Sequence, residues 1–305
     1  MNNLLKRWRS YRNRMMLDTP YKAGYAFVGA GSHALQNLYP AIQYLGIGLK
    51  YICCRHSSRM PLIERRFGVT ATTSIDTILN DDKIKGVFVC TSPDSHYDIC
   101  SQLIKSGKQV FVEKPPCLNS EELEALIADD TDRRIMVGMQ KRYSPLVRSL
   151  KKKIASDTPS NYTIVYHTGS YPEGNPVTDL FIHPVDLAIF LFGPADLKGC
   201  QIVERKGSCT VQMLLSHSSI NGSLELSTDY SWISPEETLR INAGKGEYLL
   251  FNMEKLCFRK HHMKIAGIPL EKTGLFTASE EIISMRDSFS PVVTNNQLYS
   301  QGFLS

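Results

Sequence analysis

Between residue 25 and about residue 140, short apolar runs alternate with helical patterns, the pattern that most constrains this chain, because it is the signature of βαβ units on a parallel sheet. Tyr25 to Gly29 reads as a first strand and His33 to Leu45 as a helix. Leu49 to Cys54 is a second strand, and Ser58 to Phe67 a helix that Gly68 ends. Val69 to Thr72 is a short strand and Ser74 to Asn80 a short helix. Gly86 to Thr91 is a continuous apolar strand of the kind buried on both faces. His96 to Ser106 is a helix closed by Gly107, Gln109 to Val112 a strand, Ser120 to Asp129 a helix capped at Asn119 or Ser120, and Ile135 to Gly138 a strand.

After a bridging helix from Ser144 to Ile154, the pattern turns into successive alternating segments from Tyr162 to Lys260, which fit antiparallel strands with one wet face. One helix interrupts them, around Pro184 to Phe192. The expected fold is α/β, an N-terminal Rossmann dinucleotide-binding domain over 21–143 followed by an α+β domain over 144–305 built on a mostly antiparallel sheet. A length of 305 residues suits two cores. With 42% apolar and 21% charged residues and no apolar run long enough to cross a bilayer, the chain reads as a soluble protein without a membrane span.

Residues 1–20 form a basic extension in which Leu4, Leu5, Trp8, Tyr11 and Met15 gather near one helical face. This helix reads as packed on the protein's own body or on a partner subunit, with a membrane surface or a fragment of a preceding domain as alternatives. Part of the net charge of +5 sits there, so nucleic-acid binding is not indicated. Eight cysteines without zinc-type spacing read as reduced thiols, with no metal site, and no signal-peptide core precedes a cleavage site; both point to the cytoplasm.

Gly29-Ala-Gly-Ser-His-Ala34 follows the first strand and fits G-x-G-x-x-A, which places Gly29, Gly31, Ser32 and His33 against a dinucleotide pyrophosphate. At the end of the second strand an NAD site offers a carboxylate to the ribose. This chain has Cys53-Cys-Arg-His-Ser-Ser-Arg59 instead. Arg55, with His56, Ser57 and Arg59, suits a 2′-phosphate, so NADP(H) is preferred and NAD(H) remains possible; the alternative is a solvated loop. Thr91, Ser92 and Pro93 lie where a nicotinamide ribose would sit, while His96 fits equally a cofactor contact or packing of its own helix.

Val-Phe-Val-Glu-Lys-Pro (110–115) is the most specific segment. With the glycine turn, Thr91 to His96, Val137-Gly-Met-Gln-Lys-Arg-Tyr143 and Asp179-Leu-Phe-Ile-His-Pro-Val-Asp186, in that order, the chain resembles the family of glucose–fructose oxidoreductase and inositol dehydrogenase (Gfo/Idh/MocA) over nearly its whole length. The resemblance implies Lys114 beside the nicotinamide and the reacting hydroxyl, and an Asp179/His183 pair supplying the proton acceptor. It also implies Glu113 among the cofactor contacts, a contact from Gln140, and a cis bond before Pro115. A histidine suits the removal of a hydroxyl proton near neutrality, and a lysine suits the developing charge on oxygen. Proline at position 184 is expected to start its helix, leaving His183 near the N-cap and Asp179 in the preceding turn. Phe181, where many relatives have glycine, is expected to narrow the substrate pocket, and Asp186 to support the first helical turn.

The resulting expectation is an NAD(P)-dependent dehydrogenase or reductase of a sugar, cyclitol or nucleotide-sugar hydroxyl, assembled as a homodimer or homotetramer. The alternatives are a reductase of a non-sugar substrate and a non-catalytic dinucleotide-binding sensor or scaffold.

Overall fold

The computed structural model describes residues 2–17, 21–262, 264–273, 280–285 and 301–303. The chain divides into two units, Met1–Gly138 and Met139–Ser305. In the first, helix α1 (Asn2–Leu17) precedes β1 (Gly24–Val28), α2 (Tyr39–Tyr44), β2 (Leu49–Cys53), α3 (Met60–Phe67), β3 (Thr70–Thr72) and α4 (Asp76–Leu79). There follow β4 (Ile84–Val89), α5 (His96–Lys105), β5 (Gln109–Val112), α6 (Ser120–Asp129) and β6 (Ile135–Val137).

The six strands form one parallel sheet in the order β3-β2-β1-β4-β5-β6. The strand order reverses between β1 and β4, which opens a crevice at their carboxyl ends. Alternation sorts the apolar runs onto two faces. Ala26, Val28, Val87, Val89, Val110 and Val112 pack with Cys100, Leu103, Ile104 and Leu126. The other face is aromatic: Phe27 stacks on Tyr39 at 4.3 Å and on Phe88 at 6.0 Å, and Tyr39 stacks on Phe67 at 4.7 Å. Caps expected from sequence are in place: Asn119 accepts a hydrogen bond from the Glu122 amide at 2.8 Å, and Gly68 ends α3 with φ 67°.

In the second unit, α7 (Pro145–Ile154), β7 (Pro159–His167), α8 (Ile182–Phe192), β8 (Asp196–Arg205), β9 (Ser208–Ser216), β10 (Asn221–Ser227), β11 (Glu236–Ala243), β12 (Gly246–Phe251) and β13 (Lys255–Lys260) follow in order. Beyond them come the small hairpin β14 (Lys264–Ile265) and β15 (Ile268–Pro269), then β16 (Glu280–Met285). Eight strands make a sheet ordered β16-β13-β12-β11-β7-β10-β9-β8, in which β7 and β10 pair parallel and the other neighbours antiparallel. Strand β16 has no counterpart in the sequence reading. It is held by Arg259 and Lys255 on Glu280, partners that no local period announces.

One face of this sheet (Tyr162, Ile164, Leu224, Leu226, Leu239, Ile241) packs on Leu146, Leu150 and Ile154 of α7 and Leu187 of α8. Gly222 sits opposite Tyr162, where an added Cβ would lie 1.9 Å from the ring. His217 donates from Nδ1 to the Gly193 carbonyl at 2.8 Å, which leaves Nε2 to accept from the Tyr162 hydroxyl at 2.8 Å.

Two helices depart from the expected α pattern in the same way. Before α2, residues Ala34–Leu38 form a wide π turn in which the Tyr39 amide bonds the Ala34 carbonyl, and Pro40 follows. Before α8, Val177–Phe181 form another, and Pro184 follows. Proline removes the amide that would bond the carbonyl four residues back and its ring crowds that carbonyl, so the turn ahead of it widens. Pro184 therefore does not start the helix: α8 begins at Ile182, with His183 and Pro184 in its first turn and Asp179 in the wide turn.

Lys141 is buried and its Nζ lies 2.6 Å from both Glu237 carboxylate oxygens, with the Tyr166 ring 4.9 Å away. Glu237→Ala leaves that ammonium uncompensated and is expected to destabilise the second unit by about 3–5 kcal/mol in urea unfolding, whereas Lys141→Met with Glu237→Leu recovers most of the loss.

Candidate functional site

The crevice of the first unit is built on Gly29. Its φ of 115° suits glycine, and an added Cβ would stand 2.0 Å from the Cys90 carbonyl oxygen. Its amide donates to the Cys53 carbonyl at 2.9 Å, and the Cys90 amide donates to the Val28 carbonyl at 2.8 Å, so the turn is tied to the ends of both neighbouring strands. The Tyr39 hydroxyl donates to the Gly29 carbonyl at 3.1 Å, and Arg59 Nη1 to the Ala30 carbonyl at 3.1 Å. Tyr39 ionisation is pushed strongly up by burial, so the phenol remains a donor. A Cβ on Gly31 would meet nothing within 4 Å, which leaves the backbone open to a ligand.

These elements border a groove of about 640 Å³ lined by Gly29, Gly31, Ser32 and His33 on one side. Arg55, His56, Arg59, Thr91 and Ser92 line another part of it. Nine of the residues expected to contact cofactor thus line one groove, and Ser57 and Pro93 belong to the same two turns. Arg55 reaches Ser92 Oγ at 3.4 Å. A hydrogen bond from Ser92 holds the Asp94 carboxyl below its usual range, and Arg55 adds to the effect. Cys53 and Cys90 also line the groove, and burial pushes their thiols up to about 11 and about 12, so neither brings a thiolate toward a phosphate.

His96 does not line the groove. It is 1% exposed, with Nδ1 at 2.7 Å from the Pro115 carbonyl and Nε2 at 3.2 Å from the Thr91 carbonyl. It packs its own helix and joins the Thr91 turn to the segment that carries Lys114. That segment leaves β5 through buried Glu113, half-buried Lys114 and a cis bond to Pro115. Glu113 Oε2 accepts from the Lys114 amide at 3.3 Å, and its Oε1 lies 3.6 Å from His33 Nε2 of the glycine turn. Gly138 backs this carboxylate; a Cβ there would come 3.1 Å from Glu113 Oε1.

In the second unit Asp179 is a hub of the loop from Tyr171. Its Oδ2 accepts from the Asn175 amide at 3.1 Å and its Oδ1 from Thr178 Oγ1 at 3.2 Å, and Gly174 leaves the room it needs, since a Cβ there would lie 2.2 Å from Oδ2. Burial and the neighbouring Asp179 raise the Tyr171 phenol. His183 is buried in the first turn of α8. Phe181 is 1% exposed and meets Tyr166 edge-on at 6.3 Å, so it belongs to the core of the second unit.

Asp186, one turn past His183, takes a bidentate bond from Arg142 Nε at 2.9 and 3.1 Å and a further one from Arg142 Nη2. This pair escapes sequence reasoning because it joins residues 44 apart; the only signal is an acid on the inner face of a helix. Gln140 Oε1 is buried with no hydrogen-bond partner among the described residues.

Tyr39→Phe keeps the ring stack but strands the Gly29 carbonyl; about 1 kcal/mol of stability is expected to be lost in thermal unfolding. Gly29→Ala forces β1 and β4 apart, and is expected to abolish dinucleotide binding in a fluorescence titration and to lower the melting temperature.

Residues 23–139 match the model of an oxidoreductase family described as having an NAD-binding Rossmann fold (GFO_IDH_MocA). The chain is 31% identical over 132 residues to the inositol 2-dehydrogenase of Rhizobium meliloti, covering 39% of this chain and 40% of that protein. It is 23% identical over 169 residues to the UDP-N-acetylglucosamine 3-dehydrogenase of Acidithiobacillus ferrooxidans, covering 49% and 50%. Its matches thus span about two fifths to one half of these relatives. In structure it resembles a dehydrogenase from Clostridium difficile with a TM-score of 0.76, at 17% identity and over 93% of this chain and 88% of that one, which is a likeness of fold.

Proposed function

We propose that this chain, whose residues 23–139 match the model of the Gfo/Idh/MocA oxidoreductase family with its NAD-binding Rossmann fold, is an NAD(P)-dependent dehydrogenase or reductase acting on a ring hydroxyl or ketone of a sugar, cyclitol or nucleotide sugar. The observation that carries this reading is the glycine turn at the reversal of strand order, closed on Cys90 and open at Gly31. It fits a dinucleotide: amides face a pyrophosphate position at the start of a helical segment, and no side chain fills the space over Gly31.

The basic rim of the groove and the lack of a carboxylate at the end of β2 favour NADP(H) over NAD(H). Arg55 and His56 would hold the 2′-phosphate, with Ser57 beside them, while Arg59 already braces the turn at Ala30. When bound, the nicotinamide supplies hydride acceptance or donation. In the oxidising direction Lys114 donates a hydrogen bond to the alcohol oxygen and stabilises its developing charge, and His183 takes the hydroxyl proton as the carbon–oxygen double bond forms. Asp179 orients the histidine in this proposal, and the reverse direction returns the proton. Glu113, bonded to the Lys114 amide and near His33, is a positioning residue for Lys114, and the buried Gln140 oxygen is proposed as a cofactor contact.

The exposed apolar residues Leu197, Ile202, Val203 and Leu214 on neighbouring strands β8 and β9 support a homodimer or homotetramer formed through the second unit. Eight unbridged cysteines, seven of them buried, support the cytoplasm as its place. No helix among the described residues is long and apolar enough to cross a membrane.

Absorbance at 340 nm with NADPH and a panel of sugar ketones, or NADP with the alcohols, tests the reaction; cofactor binding without turnover on the whole panel would leave a dinucleotide-binding protein without catalysis. Lys114→Ala is expected to lower kcat by roughly 10²–10³-fold with NADPH affinity nearly unchanged, and equal loss of both would make Lys114 an anchor only. Arg55→Asp is expected to weaken NADPH about 10–100-fold in a binding titration and NADH far less; an unchanged preference sinks the 2′-phosphate assignment.

A further inference from the structure

Helix α1 presents a surface that the rest of the described chain leaves unused. Its sixteen residues carry five cations, Lys6, Arg7, Arg9, Arg12 and Arg14, and no acid. At 3.6 residues per turn Leu4, Trp8 and Tyr11 share an arc of roughly 60°. Those side chains are 75%, 55% and 64% exposed, so the expectation that α1 packs on the protein's own body is overturned for them. Arg12 lies over the Trp8 ring at 4.9 Å, its charge at the border of the arc.

We infer that α1 is an in-plane docking helix for an anionic lipid bilayer. Sixteen residues with five charges are too short and too polar to span one, so the helix lies along the surface. Leu4 and the Trp8 and Tyr11 rings enter the headgroup–acyl boundary, where amphipathic aromatics are favoured, while the flanking cations meet lipid phosphates and carboxylates. Charge selects this occupant. A second copy would set five cations against five, and a nucleic acid would satisfy the arginines but leave Leu4 and Leu5 in water. The inference is independent of the dinucleotide reading, since it uses none of the groove residues.

The test is flotation of the full chain with vesicles of phosphatidylcholine alone or with roughly one quarter phosphatidylserine. Binding is expected only to the anionic vesicles, weakened by about 0.5 M salt and by roughly fivefold for each cation removed in Arg7→Gln and Arg9→Gln. Trp8→Ser is expected to weaken it about tenfold or more with NADPH affinity unchanged, which shows that the fold is intact. In a Trp232→Phe chain Trp8 is the sole tryptophan, and its emission is expected to shift to the blue on anionic vesicles. Four results overturn the proposal: no flotation, equal binding to neutral vesicles, displacement from vesicles by a lower concentration of oligouridylate than of soluble phosphoserine, or a sedimentation coefficient that falls with Leu4→Glu in the absence of lipid.

Discussion

The first unit depends on one close approach, the backbone of Gly29 against the carbonyl of Cys90. A side chain at that position would stand 2.0 Å from the oxygen, so only glycine lets β1 and β4 end side by side with the following turn folded over them. What surrounds the contact serves to hold it. The Cys53 carbonyl accepts from the Gly29 amide, the Tyr39 phenol donates to the Gly29 carbonyl, and Phe27 and Phe67 clamp the Tyr39 ring. The groove runs along this turn, bordered by Gly29, Gly31 and Cys90.

The two prolines with wide turns ahead of them have a related effect in separate places. In each case the missing amide and the bulk of the ring forbid a regular α turn, and the helix responds by widening just before the proline. Ahead of Pro40, this brings Tyr39 to the glycine turn; ahead of Pro184, it holds Asp179 in contact with its own loop while His183 enters the core side of α8. Helix irregularity thus coincides with the residues proposed to do chemistry in the second unit, as is common where a backbone must aim side chains off the regular helical positions.

Among the described residues of the second unit, the buried Lys141 ammonium and the buried Asp186 carboxylate are each met by an opposite charge. Lys141 faces Glu237 and Arg142 faces Asp186, which anchors the Gln140–Tyr143 turn to β11 and α8. Such pairs contribute little net stability over an apolar replacement, but removing one partner is costly, so they specify where that turn sits. Next to it Gly302 packs its backbone so closely that a Cβ would lie 2.1 Å from the Gln140 carbonyl, a second constraint on the same turn.

The amino-acid sequence by itself determined the two fold classes, the order of strands from β1 to β13, the glycine turn, a cap at Asn119 or Ser120 and another at Gly68, and the grouping of Arg55, His56 and Arg59 beside that turn. All of these rest on local physics, period-2 and period-3.6 burial and the backbone freedom of single residues, and each is complete within a few positions of the chain. Only the tertiary structure decided that His96 is a buried brace and Phe181 a core residue, that Asp186 answers Arg142, that Glu113 faces His33, and that α1 shows its apolar arc to solvent. Those outcomes depend on partners tens of residues away, and a side chain of a given type has no local signal for whether its partner is water, a ligand or another part of the chain.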